Sequence, residues 1–251
     1  EREGLFANNA VYNDAKGKSG MKYFNTLSTK AGLTYSINGR HILQFNTGYF
    51  EEAQPLNNIF VNIRNSNSLL PSKLSPETQI TADGSYIVRM PYVKARLTGY
   101  VTKFENATEK SYFFTQSRLG DESAGFLTQT MMDVEKLHFG GELGVEVQLH
   151  PSWKASAVVS LNQYTYTNDP ILFQSSDKRL VSEPIVSHLK NYHAGQAPEQ
   201  VYSLGLEYQS QHYWWVSLTG NLFNNNYIGI APSLRTENIY LDPNTGSRYT
   251  N

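Results

Sequence analysis

The fold of this chain is decided by residues 90–102, which read MPYVKARLTGYVT. From Val93 to Val101, an apolar side chain or a glycine takes every second position, and Lys94 and Arg96 stand between them. A period of two is the signature of a β-strand, because successive side chains point to opposite faces of a sheet. These residues therefore predict a strand with one apolar and one polar face.

Seven further segments of the chain repeat this alternation, so we predict eight strands in all. The apolar faces of these seven segments carry Leu27, Thr29, Ala31, Leu33, Tyr35 and Ile37; Leu43, Phe45, Thr47 and Tyr49; Ile80, Ala82, Tyr86 and Val88; Phe139, Leu143, Val145, Val147 and Leu149; Trp153, Ala155, Ala157, Val159 and Leu161; Tyr202, Leu204, Leu206 and Tyr208; and Trp214, Val216, Leu218 and Gly220.

Two architectures accommodate this pattern. In a soluble β-sandwich or solenoid the apolar face would cover a core, and in a membrane β-barrel it would face lipid while the charged face lines the lumen. The length of the segments favours the barrel. Strands of globular proteins have about 5–6 residues, whereas a tilted membrane strand needs about 9–11, and the alternation here lasts about that longer span in at least five segments.

Four tight turns alternate with long polar loops between these strands. The turns fall at residues 38–40, 90–92, 150–152 and 210–212, and the loops at residues 51–77, 105–129 and 168–197. Short connections on one side and long ones on the other are typical of an outer-membrane β-barrel. We therefore predict an all-β, antiparallel transmembrane β-barrel in the bacterial outer membrane, with the three long loops on the extracellular side.

The segments before Asn25 and after Asn224 also fall on the long-loop side of the predicted sheet. A self-contained bacterial barrel keeps both of its ends in the periplasm. Eight strands could close a small barrel, but its ends would then lie on the wrong face of the membrane. We expect this chain to be a portion of a larger barrel.

Composition excludes several classes of protein. The chain has 251 residues, 39% of them apolar, and no window offers the about 20 consecutive apolar residues that a membrane helix needs. Cysteine is absent, which removes disulfide frameworks and cysteine-based zinc or catalytic sites. The formal net charge is −1 and there is no basic run, so nothing predicts a nucleic-acid partner.

The sequence offers no catalytic constellation. It contains no nucleophile elbow, phosphate-binding loop, dinucleotide fingerprint or zinc-binding histidine motif. Glu142 and Glu146 share a strand face, but residues four apart on a strand are separated by about 13 Å, which is too far to share a proton or an ion. We predict no enzymatic activity, no cofactor and no metal site.

The charged positions of the strands and the polar loops supply the candidate functional residues. Lys94, Arg96, Glu142 and Glu146 are expected to face the lumen, where the two cations could steer an anionic substrate or pair with the carboxylates. Ligand contact is more plausible in loops. The loop candidates are Asn57, Asn58, Arg64, Tyr166, Tyr192 and His193.

Several of these stretches resemble one family. Residues 90–100 (MPYVKARLTGY), 139–146 (FGGELGVE), 163–168 (QYTYTN) and 48–60 are similar, in order and spacing, to strands and loop starts of TonB-dependent outer-membrane receptors of Bacteroidetes. The resemblance extends from about Asn25 to Arg235. It implies a barrel of about 22 strands closed by a plug domain, which imports a large scarce nutrient (a glycan, peptide, siderophore or vitamin) with energy delivered by TonB.

The resemblance also implies partners and a domain assignment. The whole of residues 1–251 would belong to the barrel domain, and the plug domain and the other strands would be its partners within the receptor. The TonB complex would act through the plug, a surface lipoprotein is a possible companion, and the lipid bilayer would surround the wall. The sequence contains no plug domain and no TonB box, and it ends in a polar segment. The alternative is a small autonomous outer-membrane or surface β-barrel that acts as a binding or adhesion module.

The assignment of strand faces leads to a direct test. Val145→Arg would place a charge at mid-membrane, at a cost of about 2–4 kcal/mol, and should block assembly of the barrel. Glu146→Arg, one residue along on the polar face, should be tolerated far better. The measurement is the yield of folded protein in outer-membrane fractions. Equal yields of the two variants would refute the assignment of the faces.

Overall fold

The computed structural model describes residues 18–63, 66–70, 74–115, 125–176, 184–195, 197–237 and 247. It contains ten strands: β1 (Ser28–Ser36), β2 (His41–Glu52), β3 (Glu77–Arg89), β4 (Val93–Thr115), β5 (Gly125–His150), β6 (Trp153–Tyr166), β7 (Ile171–Ser176), β8 (Ile185–Val186), β9 (Gln200–Gln209) and β10 (Trp215–Asn224). One helical turn, α1, covers Leu56–Ile59, and a 3-10 turn covers Pro232–Arg235. Within these ranges, no helix has the length and apolar character needed to cross a membrane.

All ten strands belong to one antiparallel sheet. Eight of them follow one path in the order β1-β2-β3-β4-β5-β6-β9-β10, and the short β7 pairs with β5 and with β8. The predicted all-β antiparallel fold and its eight principal strands are therefore confirmed. β1 and β10 lie at the two ends of the path, and each pairs with one neighbour among the described strands. Both are exposed along their whole length.

The four short turns also lie where the alternation predicts them. β1 and β2 are joined through residues 37–40, β3 and β4 through residues 90–92, β5 and β6 through residues 151–152, and β9 and β10 through residues 210–214. The first turn is closed by the side chain of Asn38, whose Oδ1 accepts hydrogen bonds from the backbone N–H of Arg40 (2.8 Å) and His41 (3.0 Å). An asparagine followed by glycine favours such a turn, because both residues tolerate the backbone angles that it requires.

The register of the strands aligns every predicted apolar face on one side of the sheet. Leu97, for example, lies opposite Tyr86 on one neighbour and Leu143 on the other. One continuous row across the sheet consists of Tyr35, Leu43, Tyr86, Leu97, Leu143, Val159, Tyr202 and Leu222. The sheet therefore has one apolar face, which we call the outer face, and one polar face, the inner face.

The turns are staggered relative to this row. The row crosses β2 four residues after Gly39, but it crosses β10 ten residues after His212. The distance from turn to row therefore grows by six residues between β2 and β10. These two strands are six steps apart in the sheet, so the turns are displaced by about one residue per strand. With a rise of about 3.3 Å per residue and a strand spacing of about 4.8 Å, this stagger corresponds to a tilt of about 35° between the strands and the line of turns. Membrane barrels have tilts of about 35–45°.

The predicted loop at residues 105–129 is wrong for the described residues, because β4 and β5 continue through it as a long hairpin. The register between β4 and β5 shifts twice here, between Phe104 and Ala107 and again between Ala107 and Glu109. Asn106 and Asp133, which lie in this region, have φ angles of 58° and 59°. Side-chain amides hold this irregular region: Gln54 donates to the carbonyl of Asn106, and Asn168 donates to that of Asp133. Polar composition misled the prediction, because covering segments bury the Thr and Gln side chains of β5 here.

The predicted loop at residues 168–197 also contains regular structure. β7 extends the far part of β5, where Ile171 pairs with Met132, and β8 then adds to β7. Sequence patterning missed both strands because they are only six and two residues long. In the described part of the predicted loop at residues 51–77, the regular structure consists of α1, the ends of β2 and β3, and a bridge between Phe60 and Leu69.

The buried core of the described chain lies in this far region and not between the turns. We call it the outer layer: residues 107–115 of β4, residues 125–134 of β5, β7, β8 and the described parts of segments 53–76 and 184–195. Segment 53–76 packs on one face of its small sheet, where Val61 and Leu70 meet Met132 and Phe173. On the other face, Leu189 and Ala194 of segment 184–195 meet Met131, Val134 and Leu172.

This core yields a prediction for the outer layer. Leu172 is fully buried, so Leu172→Ala should destabilise the layer by about 2–5 kcal/mol. We expect faster amide hydrogen exchange in segments 53–76 and 184–195, with little change in β1 and β2. Leu56→Ala is the matched control, because Leu56 belongs to the same layer but is 67% exposed. Identical exchange in the two variants would contradict the assignment of the core.

Candidate functional site

The four predicted charged residues of the strands lie together on the inner face. Lys94 is directly opposite Glu146, and its Nζ lies 3.1 Å from Glu146 Oε1. Both side chains are exposed, so this ion pair contributes little to stability on its own. Glu142 lies four residues before Glu146 on β5, opposite Thr98, and accepts a hydrogen bond from Ser160 at 3.4 Å.

Arg96 contacts hydroxyl groups and not the predicted carboxylates. Its Nη2 donates to Ser85 Oγ at 3.1 Å and its Nε to Thr98 Oγ1 at 3.2 Å, while the two hydroxyls lie 2.9 Å apart. Lys94 and Arg96 were both expected to be able to pair with Glu142 or Glu146. Among the described residues, only Lys94 forms such a pair. The inner face is therefore a network of hydrogen bonds. Within the described residues, Arg96 has no carboxylate in direct contact with its guanidinium.

A glycine allows the inner-face net to cross a whole strand. Tyr100 lies opposite Gly140, and Gly140 lies opposite Asn162 on the next strand. The hydroxyl of Tyr100 donates to Asn162 Oδ1 at 2.7 Å, so the bond links β4 to β6 above β5. A Cβ atom on Gly140 would lie 2.1 Å from Asn162 Oδ1 and 2.7 Å from the backbone oxygen of Leu161. Only glycine leaves room for this bond.

Beside this bond, four aromatic rings form a cavity that sequence reasoning missed. His138 lies between Phe104 and Tyr164, with ring-centroid distances of 4.9 Å and 4.8 Å. Tyr100 completes the set, and the cavity has a volume of about 350 Å³. It lies at the end of the inner face next to the outer layer, where Ala194 and Ala197 also line it. A signal was present in the sequence, because aromatic residues at 100, 104 and 164 occupy positions of the polar face.

Two of the loop candidates hold segment 53–76 in place. Asn58 donates from Nδ2 to the carbonyl of Thr108 at 2.6 Å, and Asn57 accepts from Lys110 Nζ through its carbonyl at 2.9 Å. Lys110 also donates to the carbonyl of Phe60. Burial lowers the pKa of Lys110 to about 8. These contacts attach the segment to β4, and Asn58 takes part in them through its side chain and Asn57 only through its backbone carbonyl. The candidate Arg64 lies outside the described residues.

Tyr166 is buried at the base of the outer layer. It is 9% exposed, its hydroxyl donates to Glu109 Oε2 at 3.4 Å, and its ring lies 5.2 Å from the Lys136 ammonium. Lys136 in turn pairs with Glu109. Burial, with the negative charge of Glu109, raises the pKa of Tyr166. The side chain belongs to this network and does not offer a free surface for a ligand.

Tyr192 and His193 join segment 184–195 to later parts of the chain. The Arg235 guanidinium lies 4.8 Å from the centre of the Tyr192 ring. His193 stacks on Tyr227, with centroids 4.0 Å apart, and its Nδ1 lies 2.7 Å from Glu199 Oε1. Tyr192 is 39% exposed, so it is the loop candidate with the most accessible ring.

Comparison with known proteins adds little to this geometry. No family model matches the chain, and no curated protein matches it. Among solved structures, the chain is similar to one described as "Copper transporter OprC", at 20% sequence identity with a TM-score of 0.49. The match covers 73% of this chain and 24% of that protein, so this chain spans about a quarter of the length of that structure.

The crossing hydrogen bond of the inner face gives a matched pair of variants. Gly140→Ala should force Asn162 and β6 away from β5, because its Cβ would overlap Asn162 Oδ1 and a backbone oxygen. Gly144→Ala, on the same face of the same strand, should be neutral, because its Cβ would meet nothing within 4 Å. Folding of each variant can be measured by the electrophoretic shift between unheated and heated samples in SDS. A normal shift for Gly140→Ala would contradict the proposed close approach.

Proposed function

We propose that this chain is part of the wall of a TonB-dependent transporter in the bacterial outer membrane. In this proposal the outer face contacts lipid and the inner face contacts a plug domain. The complete receptor imports a large scarce nutrient with energy that TonB delivers through that plug. The wall performs no covalent chemistry and needs no cofactor. Its tasks are to hold the plug and to present the nutrient-binding surface.

The observation that carries the proposal is the unbroken apolar outer face. Eight strands contribute to it in register, although the turns that join them are staggered by about one residue per strand. Leu33, Leu97, Leu204 and Leu218 on this face are 54% to 77% exposed. Exposed leucines at this density would cause aggregation in water, but they suit contact with lipid.

Aromatic residues on the outer face support the same orientation. Trp153, Tyr208 and Trp214 form a cluster near two of the short turns, with ring-centroid distances of 4.9 Å and 5.2 Å. Near the other short turns, His41 Nδ1 lies 2.7 Å from the Tyr86 hydroxyl. Amphipathic rings are enriched where membrane meets water, because one end is apolar and the other can form hydrogen bonds.

The open edges favour a larger barrel over a small autonomous one. β1 and β10 stand at opposite ends of the strand order, and their outward backbone groups pair with no strand in the described ranges. An unpaired strand edge within lipid would leave backbone N–H and C=O groups unsatisfied, so spanning sheets must close. Further strands of the same receptor would close the wall and bring the plug with them.

The outer layer supplies the extracellular surface in this proposal. A membrane strand needs about 9–11 residues, but β4 has 23 and β5 has 26. Their excess length projects beyond the membrane and carries the folded outer layer around it. A surface lipoprotein that delivers the nutrient would dock on this layer.

The absence of cysteine from the chain permits a clean test of orientation in cells. In the complete receptor, Ser111→Cys on the projecting part of β4 should react with a membrane-impermeant maleimide on intact bacteria. Gln211→Cys in a short turn should react only after the outer membrane is permeabilised. The unmodified receptor controls for cysteines outside this chain. Labelling of Gln211→Cys on intact cells would overturn the proposed orientation.

A further inference from the structure

The aromatic cavity of the inner face has the composition of a ligand site. Its rings come from three neighbouring strands: Tyr100 and Phe104 from β4, His138 from β5 and Tyr164 from β6. The contacts of His138 with Phe104 and Tyr164 fix three of these rings as one unit. A volume of about 350 Å³ is within the usual range for small-ligand pockets, about 300–1,000 Å³.

His138 lines this cavity and carries an unused hydrogen-bonding atom. Its Nε2 is buried and has no hydrogen-bond partner among the described residues. Buried polar atoms without partners are rare in folded proteins, so each one needs an explanation. A ligand group that hydrogen-bonds to the ring nitrogen would supply the missing partner. Gln79 adds a side-chain amide to the same wall.

The charges around the cavity indicate which ligands fit. None of the described residues that line it has a formally charged side chain apart from the titratable His138. Two ion pairs of the inner face, Lys94–Glu146 and Lys154–Glu207, lie elsewhere. Lys136 lies opposite Phe104 at the border of the cavity, and its charge is already paired with Glu109. An ionic ligand would lose its hydration here without a partner of opposite charge, which is unfavourable. A purely apolar ring would leave Nε2 of His138 without a partner.

We propose that this cavity binds an uncharged sugar ring of an oligosaccharide, which stacks on the aromatic side chains and hydrogen-bonds through a hydroxyl group to His138. A sugar ring combines an apolar face of C–H groups with hydroxyls around its edge. The aromatic rings match that face, and the imidazole nitrogen and the Gln79 amide match the edge. The inference rests on the proposed function, because the inner face meets a nutrient only if it lines the interior of a transporter.

The location of the cavity suits an entry site. It lies where the inner face meets the outer layer, and Ala194 and Ala197 border it. The backbone N–H of Ala194 donates to the carbonyl of Tyr164 at 2.8 Å, so this border is attached to the cavity wall. A nutrient that passes the outer layer would reach these rings before it reaches the charged part of the lumen.

The test uses the complete receptor in detergent and an array of end-labelled neutral oligosaccharides of mixed linkage. We expect the receptor to retain at least one of them. Tyr164→Ala and Phe104→Ala should weaken that binding by about tenfold or more through loss of the stacking surface. His138→Phe keeps the ring contacts but removes Nε2, and it should also weaken binding. Phe139→Ala, adjacent in sequence but on the outer face, is the control that should bind normally.

Folding is measured in parallel by the heat-dependent electrophoretic shift of each variant. Retention of no neutral oligosaccharide, or equal affinity of the parent, Tyr164→Ala and His138→Phe, would overturn the inference. A parallel array of sulfated oligosaccharides tests ionic ligands, and retention of sulfated oligosaccharides alone would overturn the inference too. In each of these cases a normal electrophoretic shift and membrane insertion would leave the transporter proposal intact. A parent protein that is soluble without detergent would instead contradict the transporter proposal.

Discussion

The structure depends on the hydrogen-bonded register between neighbouring strands. Side chains alternate with a period of two, so a slip of one residue between two strands would move every apolar side chain of one of them to the polar face. Along the row of residues that crosses the eight strands through Leu97 no such slip occurs, and Leu97 meets Tyr86 and Leu143 as the alternation requires. The same register aligns the inner face, where it places Lys94 opposite Glu146. Lipid contact, the polar net and the aromatic cavity all follow from this one alignment.

The inner face also depends on residues that contribute no side chain. The Tyr100–Asn162 hydrogen bond passes over Gly140, which gives β4 and β6 a direct link although they are not neighbours in the sheet. Such a link restrains the curvature of the wall at that level, since the distance between the two side chains varies with the bend of the sheet. The cavity lies beside this restraint, so its rings are held on a part of the wall that cannot flatten without breaking the bond.

The sequence predicted the wall well and the outer layer poorly, for identifiable reasons. A sheet face that contacts one uniform environment requires apolar and polar residues to alternate along each strand. That alternation predicted the eight principal strands, the four turns and the charged residues of the inner face. The outer layer buries polar residues such as Thr130 of β5 under covering segments, so its strands resemble loops in composition. The cavity was missed because Phe104, His138 and Tyr164 are far apart in sequence and meet only through the register. The roles of the loop candidates depended on tertiary contacts that no local pattern encodes.

The irregular region at Asn106 and Asp133 has a mechanical consequence. Here two residues in the left-handed region interrupt the long β4–β5 hairpin at nearly the same level, and amide side chains from Gln54 and Asn168 hold the carbonyls that the interruption frees. The ladder of backbone hydrogen bonds is therefore broken at the level where the outer layer meets the wall. Side chains from outside the hairpin take over its role there and brace the hairpin sideways.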